Sequence, residues 1–329
     1  MSLKNYFNDI KKIKVIIVGD VMVDSYVIGK IERNSPEAPV PIINVNQRKN
    51  RIGGAANVAL NIKALGGIPY LCSCIGKDNS GKKFLDLMKK NKLSSESIIV
   101  NKERKTTIKE RIIVDKKHVV RIDDEITEKI SVKMQEKLYQ IIKKLIKKSD
   151  LLILQDYDKG VLTKDFINQI INFSRNKIKI SVDPKCQNFH SYRNIDLFKP
   201  NFQEACKGFR LNHKKVSIKK LGLVSKNYLQ KNGINCIMIT MSKNGILIVN
   251  KDNVKHYKTI SKKILDVSGA GDTVISVASL FFIMSVPIEF LGRFSNLAGR
   301  LVCQRSGVKP INKKELYREA NKNDLDKYL

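Results

Sequence analysis

From Ser131 onward the chain alternates short apolar runs with longer amphipathic segments, and this rhythm restricts the possible folds most. Met134, Leu138, Ile141, Ile142 and Leu145 recur at helical spacing and predict a helix from Val132 to Lys147. A buried-strand run, Leu151 to Leu154, comes next, then a helix from Thr163 to Ser174 and a strand from Ile178 to Val182. Helices are expected after Asn201 through Phe209 and from Ser217 to Lys231, ahead of a strand from Cys236 to Thr240. Asn244-Gly245 then turns into a hairpin strand, Ile246 to Val249, with another strand near Val254 to Tyr257. Helices from Val274 to Ser285, from Ile288 to Arg305 and from Lys313 end the chain. Strands separated by helices imply a mostly parallel sheet covered by helices on both faces, so the expected fold class is α/β.

The N-terminal part adds strands that do not fit this sheet. Lys14 to Gly19 (KVIIVG) reads as a buried first strand, with Asp20 and Asp24 at or just past its C-terminal end. In open α/β sheets that edge holds ligands. A carboxylate there accepts bonds from sugar hydroxyls or is a solvated turn residue; the residues alone leave both open. Tyr70 to Ile75 and Ser97 to Asn101 read as strands, with a helix from Gly81 to Lys90 between them. Short strands from Ser25 to Gly29 and Pro41 to Gln47 flank a loop, Ser35-Pro-Glu-Ala-Pro-Val-Pro41, whose prolines exclude helix. Thr106 to Val114 and Val119 to Asp123 form a hairpin turning at Asp115 to His118. Together these predict a small separate sheet. The expected organisation is a single domain, 1–329, with a β lid contributed by about 25–47 and 106–123.

Composition excludes some classes. No apolar run reaches the roughly 18 residues of a membrane span. The N-terminus, MSLKNYFNDIKKIK, has no apolar signal core, so a cytoplasmic location is expected. The six cysteines are scattered without zinc-ligand spacing. A formal net charge of +31 raises a nucleic-acid partner as an alternative. The lysines are spread along the chain among abundant Asn and Ile, without a basic tail, which favours compositional drift; no nucleic-acid partner is expected. A positive surface still attracts phosphorylated substrates.

The chemistry gathers in Asp266-Val-Ser-Gly-Ala-Gly-Asp272-Thr, directly before an apolar helix. Gly269 and Gly271 let the backbone approach a ligand. The amides from Gly269 to Thr273 would sit at a helix N-terminus, which favours an anion. Asp272 would repel a phosphate unless it takes a proton from the attacking hydroxyl; alternatively it only favours the helix dipole. Gly53 and Gly54 open a small-residue helix in which Asn57 points back toward a ligand, or they allow close helix packing. Glu204 suits Mg²⁺ through water or a helix N-terminus, and Lys185 suits a phosphate or solvent.

Gly53-Gly-Ala-Ala-Asn57-Val-Ala, Lys199-Pro-Asn201-Phe-Gln-Glu204 and the Asp266 to Thr273 segment, in this order, resemble the ribokinase-like (pfkB-type) carbohydrate kinases over nearly the whole chain. The resemblance implies a three-layer αβα sandwich with a β lid and an ATP- and Mg²⁺-dependent sugar kinase. It implies Asp272 as the base and Gly269, Ala270 and Gly271 as the anion hole. Asn201, Phe202, Gln203 and Glu204 would serve ATP and magnesium, Glu204 through water. Thr240, Ser242, Gly245 and Asn296 would line the nucleotide side. Asp24, Gly53, Gly54 and Asn57 would hold the sugar. Within the family, Gly19 to Tyr26 and Ser35 to Pro41, supported by Asp183-Pro-Lys185, are similar to kinases that phosphorylate D-glycero-β-D-manno-heptose 7-phosphate at O1. The expected partners are therefore a sugar phosphate, with Lys185 on the substrate, and a second copy of the chain across the lid. Met241 stands where those kinases tend to carry a basic residue. Arg300 and Cys303 follow Asn296 where small residues are usual. Many such relatives carry a cytidylyltransferase domain that is absent here, so only the kinase step is expected. Another sugar kinase of the family, or a kinase fold kept as a structural partner, are the remaining alternatives.

Overall fold

The computed structural model describes residues 2–115, 117–259, 264–305 and 307–329. In chain order the first elements are α1 (Leu3–Asp9), β1 (Lys14–Gly19), β2 (Val21–Asn34), β3 (Pro41–Gly54), α2 (Ala55–Leu65), β4 (Ile68–Gly76), α3 (Asn79–Lys90), β5 (Ile98–Asn101), β6 (Thr107–Val114) and β7 (Lys117–Asp124). The alternating part follows with α4 (Val132–Ile146), β8 (Leu151–Gln155), α5 (Lys164–Ser174), β9 (Lys179–Asp183), β10 (Leu197–Phe198), α6 (Phe202–Gly208), α7 (Ile218–Asn232), β11 (Cys236–Thr240), β12 (Ile246–Asn250) and β13 (Val254–Tyr257). The last helices are α8 (Ala270–Ile283), α9 (Ile288–Cys303) and α10 (Lys313–Lys322).

Among the described residues, a nine-stranded sheet runs β13-β12-β11-β10-β9-β8-β1-β4-β5. It is parallel from β11 to β5, and β12 and β13 are antiparallel additions. Successive strand residues face opposite sides. Val15, Ile17, Leu71, Leu151, Ile153 and Met238 pack against α1, α2, α8 and α9. Ile16, Val18, Leu152, Leu154, Ile180 and Ile237 pack against α4, α5 and α7. Burial on both faces is why these strands read as unbroken apolar runs. α8 is buried from Asp272 to Phe281. Its Phe281 meets Phe294 of α9 with ring centroids 4.6 Å apart and Phe7 of α1 at 5.8 Å. The expected α/β architecture and its three layers are present. No helix of the described residues is long and apolar enough to cross a membrane.

The lid is a second sheet, β3-β2-β6-β7, with β2 and β6 parallel and the outer pairs antiparallel. Its inner end, from Val21 to Val27 and Ile52 to Gly54, is buried; its outer end and all of β7 are exposed. Four expectations change here. β2 and β3 are 14-residue strands where two short ones were expected. Lysines, arginines and asparagines populate their outer halves, and with solvent on both faces the ladder continues without an apolar pattern. Asp24 lies within β2, opposite Arg51 of β3, beyond the end of the core strand. α1 was not expected: Ser2 caps it, and Leu3, Tyr6 and Phe7 bury its inner face. The two-residue strand β10 pairs with β9 and β11 and is too short to leave a pattern. Lys116, within the expected turn between β6 and β7, lies outside the described residues.

Candidate active site

The glycine segment forms the N-terminus of α8. Gly269 is its N-cap at φ 78°, in the left-handed region, and no side chain caps the helix. The first amides of a helix lack intrahelical acceptors; the Ala270 N–H donates to the Val267 carbonyl at 3.2 Å, and the Gly271 and Asp272 amides, without a backbone acceptor among the described residues, can face an anion. A Cβ on Gly269 would lie 2.8 Å from the Asn57 amide nitrogen. One on Gly271 would lie 3.6 Å from Lys199 Nζ. Both glycines therefore bring this turn up against polar side chains from α2 and the β10 end.

Asp272 follows in the first turn and is 4% exposed. Its Oδ2 accepts from Asn57 Nδ2 at 2.7 Å. Its Oδ1 accepts from the Tyr157 hydroxyl at 2.6 Å and from Gln155 Nε2 at 3.2 Å. Burial raises its pKa to about 6, against the opposing hydrogen bonds of Tyr157 and Asn57. It is thus a base poised near neutrality, as a proton acceptor requires.

Around this carboxylate lie two cations, Lys199 buried and Lys185 half-buried. Lys199 Nζ sits 3.0 Å from Asp183 Oδ2, which also accepts from Gln155 at 3.0 Å. Lys185 pairs with Glu204 Oε1. Burial acts to lower the Lys185 pKa, but Asp183 and Glu204 outweigh it and hold the ammonium above its ordinary value. Glu204 Oε2 accepts the Asn201 amide at 2.8 Å while Asn201 Oδ1 accepts the Glu204 amide at 2.9 Å, a capping box that opens α6. Asn201 also bridges to Thr240 at the end of β11.

A cavity of about 670 Å³ opens from Asp272 along this edge. Gly269, Ala270, Gly271, Lys185, Asn201, Phe202, Gln203, Glu204, Thr240, Ser242, Gly245 and Asn296 all line it, as do Met241, Arg300 and Cys303. Asn296 is held by the Tyr257 and Lys258 carbonyls, each at 3.1 Å. Asp24, Gly53, Gly54 and Asn57 do not line this cavity. They lie on the lid side, and Asn57 connects them to Asp272. A Cβ on Gly53 would fall 2.1 Å from Asp24 Oδ2, and one on Gly54, at φ 63°, 2.4 Å from the Asp20 carbonyl. The Asp24 carboxylate is 3% exposed and paired with Arg111 of β6.

Asp20 has a different role from Asp24. Its carboxylate accepts the amides of Tyr157 at 3.0 Å, Lys159 at 3.1 Å and Val161 at 3.0 Å. It anchors the loop after β8 and is buried. Asp183 was singled out in the sequence with Lys185 as Asp183-Pro-Lys185; Tyr157, Gln155, Lys199 and Arg111 are site residues that sequence reasoning did not nominate. Lys199 alone carried a signal, by preceding Pro200-Asn201.

Among the described residues no group of three His, Cys, Asp or Glu could cage a metal. An ion carried mainly by phosphates and water needs no cage. Both Glu204 oxygens already accept one bond, yet each retains a lone pair for water. The donor set therefore fits a water-bridged Mg²⁺ beside Glu204.

The model of the pfkB family carbohydrate kinases matches residues 12–315. The Bifunctional protein HldE of Sulfurimonas denitrificans is 35% identical over 307 residues, covering 92% of this chain and 63% of that protein. The protein of the same name from Helicobacter acinonychis is 34% identical, covering 89% and 63%. The chain thus spans under two thirds of the length of these relatives. Among solved structures, Escherichia coli phosphofructokinase-2 in complex with potassium superposes with a TM-score of 0.77 at 17% identity, covering 93% of this chain and 97% of that one. Arabidopsis thaliana ribokinase complexed with ribose and ATP gives 0.70 at 16%, covering 93% and 97%. At such identities the likeness concerns the fold. With the match running through every element of both sheets and through the glycine turn at Asp272, the chain belongs to the pfkB family of carbohydrate kinases.

Proposed function

We propose that the chain transfers the γ-phosphoryl group of ATP to O1 of D-glycero-β-D-manno-heptose 7-phosphate, giving the 1,7-bisphosphate, a step in making ADP-heptose for lipopolysaccharide. The observation that carries the reading is the position of Asp272. It joins a cation-lined cavity on one side to the Asn57, Gly53 and Asp24 group under the lid on the other.

Asp272 accepts the proton of the attacking hydroxyl, whose oxygen displaces ADP in line. The amides at the start of α8 stabilise charge on the transferred group, and Lys199 and Lys185 neutralise the phosphates. Asn201 to Glu204, Thr240, Ser242, Gly245 and Asn296 hold the nucleotide. Mg²⁺, when bound beside Glu204, neutralises phosphate charge. Asp24 and Asn57 orient the sugar, and lid strands from two copies cover it. The exposed Val119, Val120 and Ile122 of β7 support that pairing. The work is cytoplasmic, where ATP is supplied.

The test is an ADP-release assay with heptose 7-phosphate beside fructose 6-phosphate, ribose and adenosine. Preferred turnover of the heptose phosphate is expected. Turnover of another acceptor alone would overturn the substrate and leave the kinase. Salt-sensitive nucleic-acid binding without ADP release would overturn both.

A further inference from the structure

The Tyr157 hydroxyl occupies one oxygen, Oδ1, of the carboxylate read here as the base, while Asn57 of the lid side occupies the other. It donates to Asp272 Oδ1 at 2.6 Å, a shorter contact than that from Gln155 to the same oxygen at 3.2 Å. The loop that carries it is pinned from two sides. Asp20, at the end of β1, accepts the Tyr157, Lys159 and Val161 amides. Asp156 accepts from Tyr192 at 2.7 Å and from Asn188 at 3.0 Å. Two buried carboxylates thus fix the backbone on either side of one half-buried tyrosine whose ring lines the cavity. Lys185 Nζ stands 5.4 Å from the centre of that ring, so the tyrosine also lies between the base and a phosphate-side cation.

We propose that Tyr157 is the positioning residue of the transfer site. Its hydroxyl orients the Asp272 carboxylate and keeps it in the charged form in which it accepts the proton of a sugar hydroxyl. The inference rests on reading Asp272 as the base. A purely packing tyrosine would not need to spend its hydroxyl on the one carboxylate at the junction of cavity and lid.

The groups facing Asp272 set its titration together: Asn57 of α2, Gln155 of β8, Asp183 of β9, Lys199 after β10 and Lys185 after β9, with Asp24 of β2 beyond the tyrosine. The phenol itself stays protonated, since burial, Asp272 and Asp183 push its pKa well above the ordinary tyrosine value. It is therefore a donor throughout the working range. A donor to a carboxylate favours the ionised form. Removing it raises the pKa of the base.

The experiment is the pH profile of kcat/KM, whose acidic limb reports the base in the free enzyme. In the unaltered chain the limb is expected near pH 6, the value to which burial raises Asp272. In Tyr157→Phe it should move up by about one pH unit, as loss of a charge-assisted hydrogen bond implies. Incorporating difluorotyrosine at position 157 gives a stronger donor in the same shape and should move the limb down, which keeps the test decisive if Tyr157→Phe does not fold. A limb that stays in place in the folded variants overturns the positioning role, whatever happens to kcat. Asp272→Asn is measured in parallel. Full turnover there would overturn the base itself, a failure distinct from that of Tyr157.

Discussion

At the scale of single residues, the site depends on which atoms are left out as much as on which are present. Gly53 leaves room for Asp24, whose carboxylate Arg111 holds in place. A methyl group 2.1 Å from Asp24 Oδ2 must displace it. Gly53→Ala is therefore expected to lower kcat/KM for the sugar phosphate by about tenfold to a hundredfold, the range for a misplaced positioning group. The KM for ATP should stay within about twofold. Steady-state kinetics in both substrates check this, and an unchanged sugar kcat/KM would remove Asp24 from the acceptor site. The glycines, Asn57 and Asp272 were legible in the sequence because glycine pairs and a carboxylate after a glycine turn are local signals. Tyr157 and Gln155 were not, since each looks ordinary in its own segment. Lys199 showed only as the residue before Pro200-Asn201, and the parallel pairing of β8, β9 and β10 brings these strand ends together around Asp272.

At the scale of elements, the loop after β8 carries Tyr157 and is tied down by Asp20. Three amides converge on that carboxylate, and it is 1% exposed. An asparagine there would turn an NH₂ group toward an N–H donor. Leaving a buried donor unsatisfied costs about 1–3 kcal/mol, so Asp20→Asn should lower the unfolding free energy by that amount in a denaturant titration. Equal stability would show that the loop holds itself. Asp20 also titrates in an informative direction. Burial first, and Asp156 second, raise its pKa from 3.8 to about 6. The folded state therefore takes up a proton that the unfolded state refuses between those values. This group makes the fold more stable as pH falls from above 6 toward 4, and the contribution saturates below 4. The core elements were readable from their apolar runs. The lid strands were read too short, because Lys30 to Asn34 and Gln47 to Asn50 pair in the ladder while facing solvent.

At the scale of the whole molecule, the two sheets divide the labour. On the proposed reading, the nine-stranded sheet presents the nucleotide side at its parallel strand ends, and the lid covers the acceptor. β7 is an edge strand exposed along its length, with Val119, Val120 and Ile122 each about half exposed. Unprotected apolar edges invite a partner. Equilibrium sedimentation should give about twice the 37.4 kDa chain mass, and Val120→Lys with Ile122→Lys should give the single chain. Monomers before substitution would refute pairing through the lid. The net charge of +31 is spread along the chain, which made it a poor guide to the site. Both halves of the molecule meet at one carboxylate, so the most direct test is Asp272→Asn in a single-turnover assay with ATP and heptose 7-phosphate. Loss of at least about a hundredfold in the transfer rate, the lower range for a general base, is expected, with melting temperature and ATP binding retained. Near-normal transfer in that variant would contradict the assignment of Asp272 as the base.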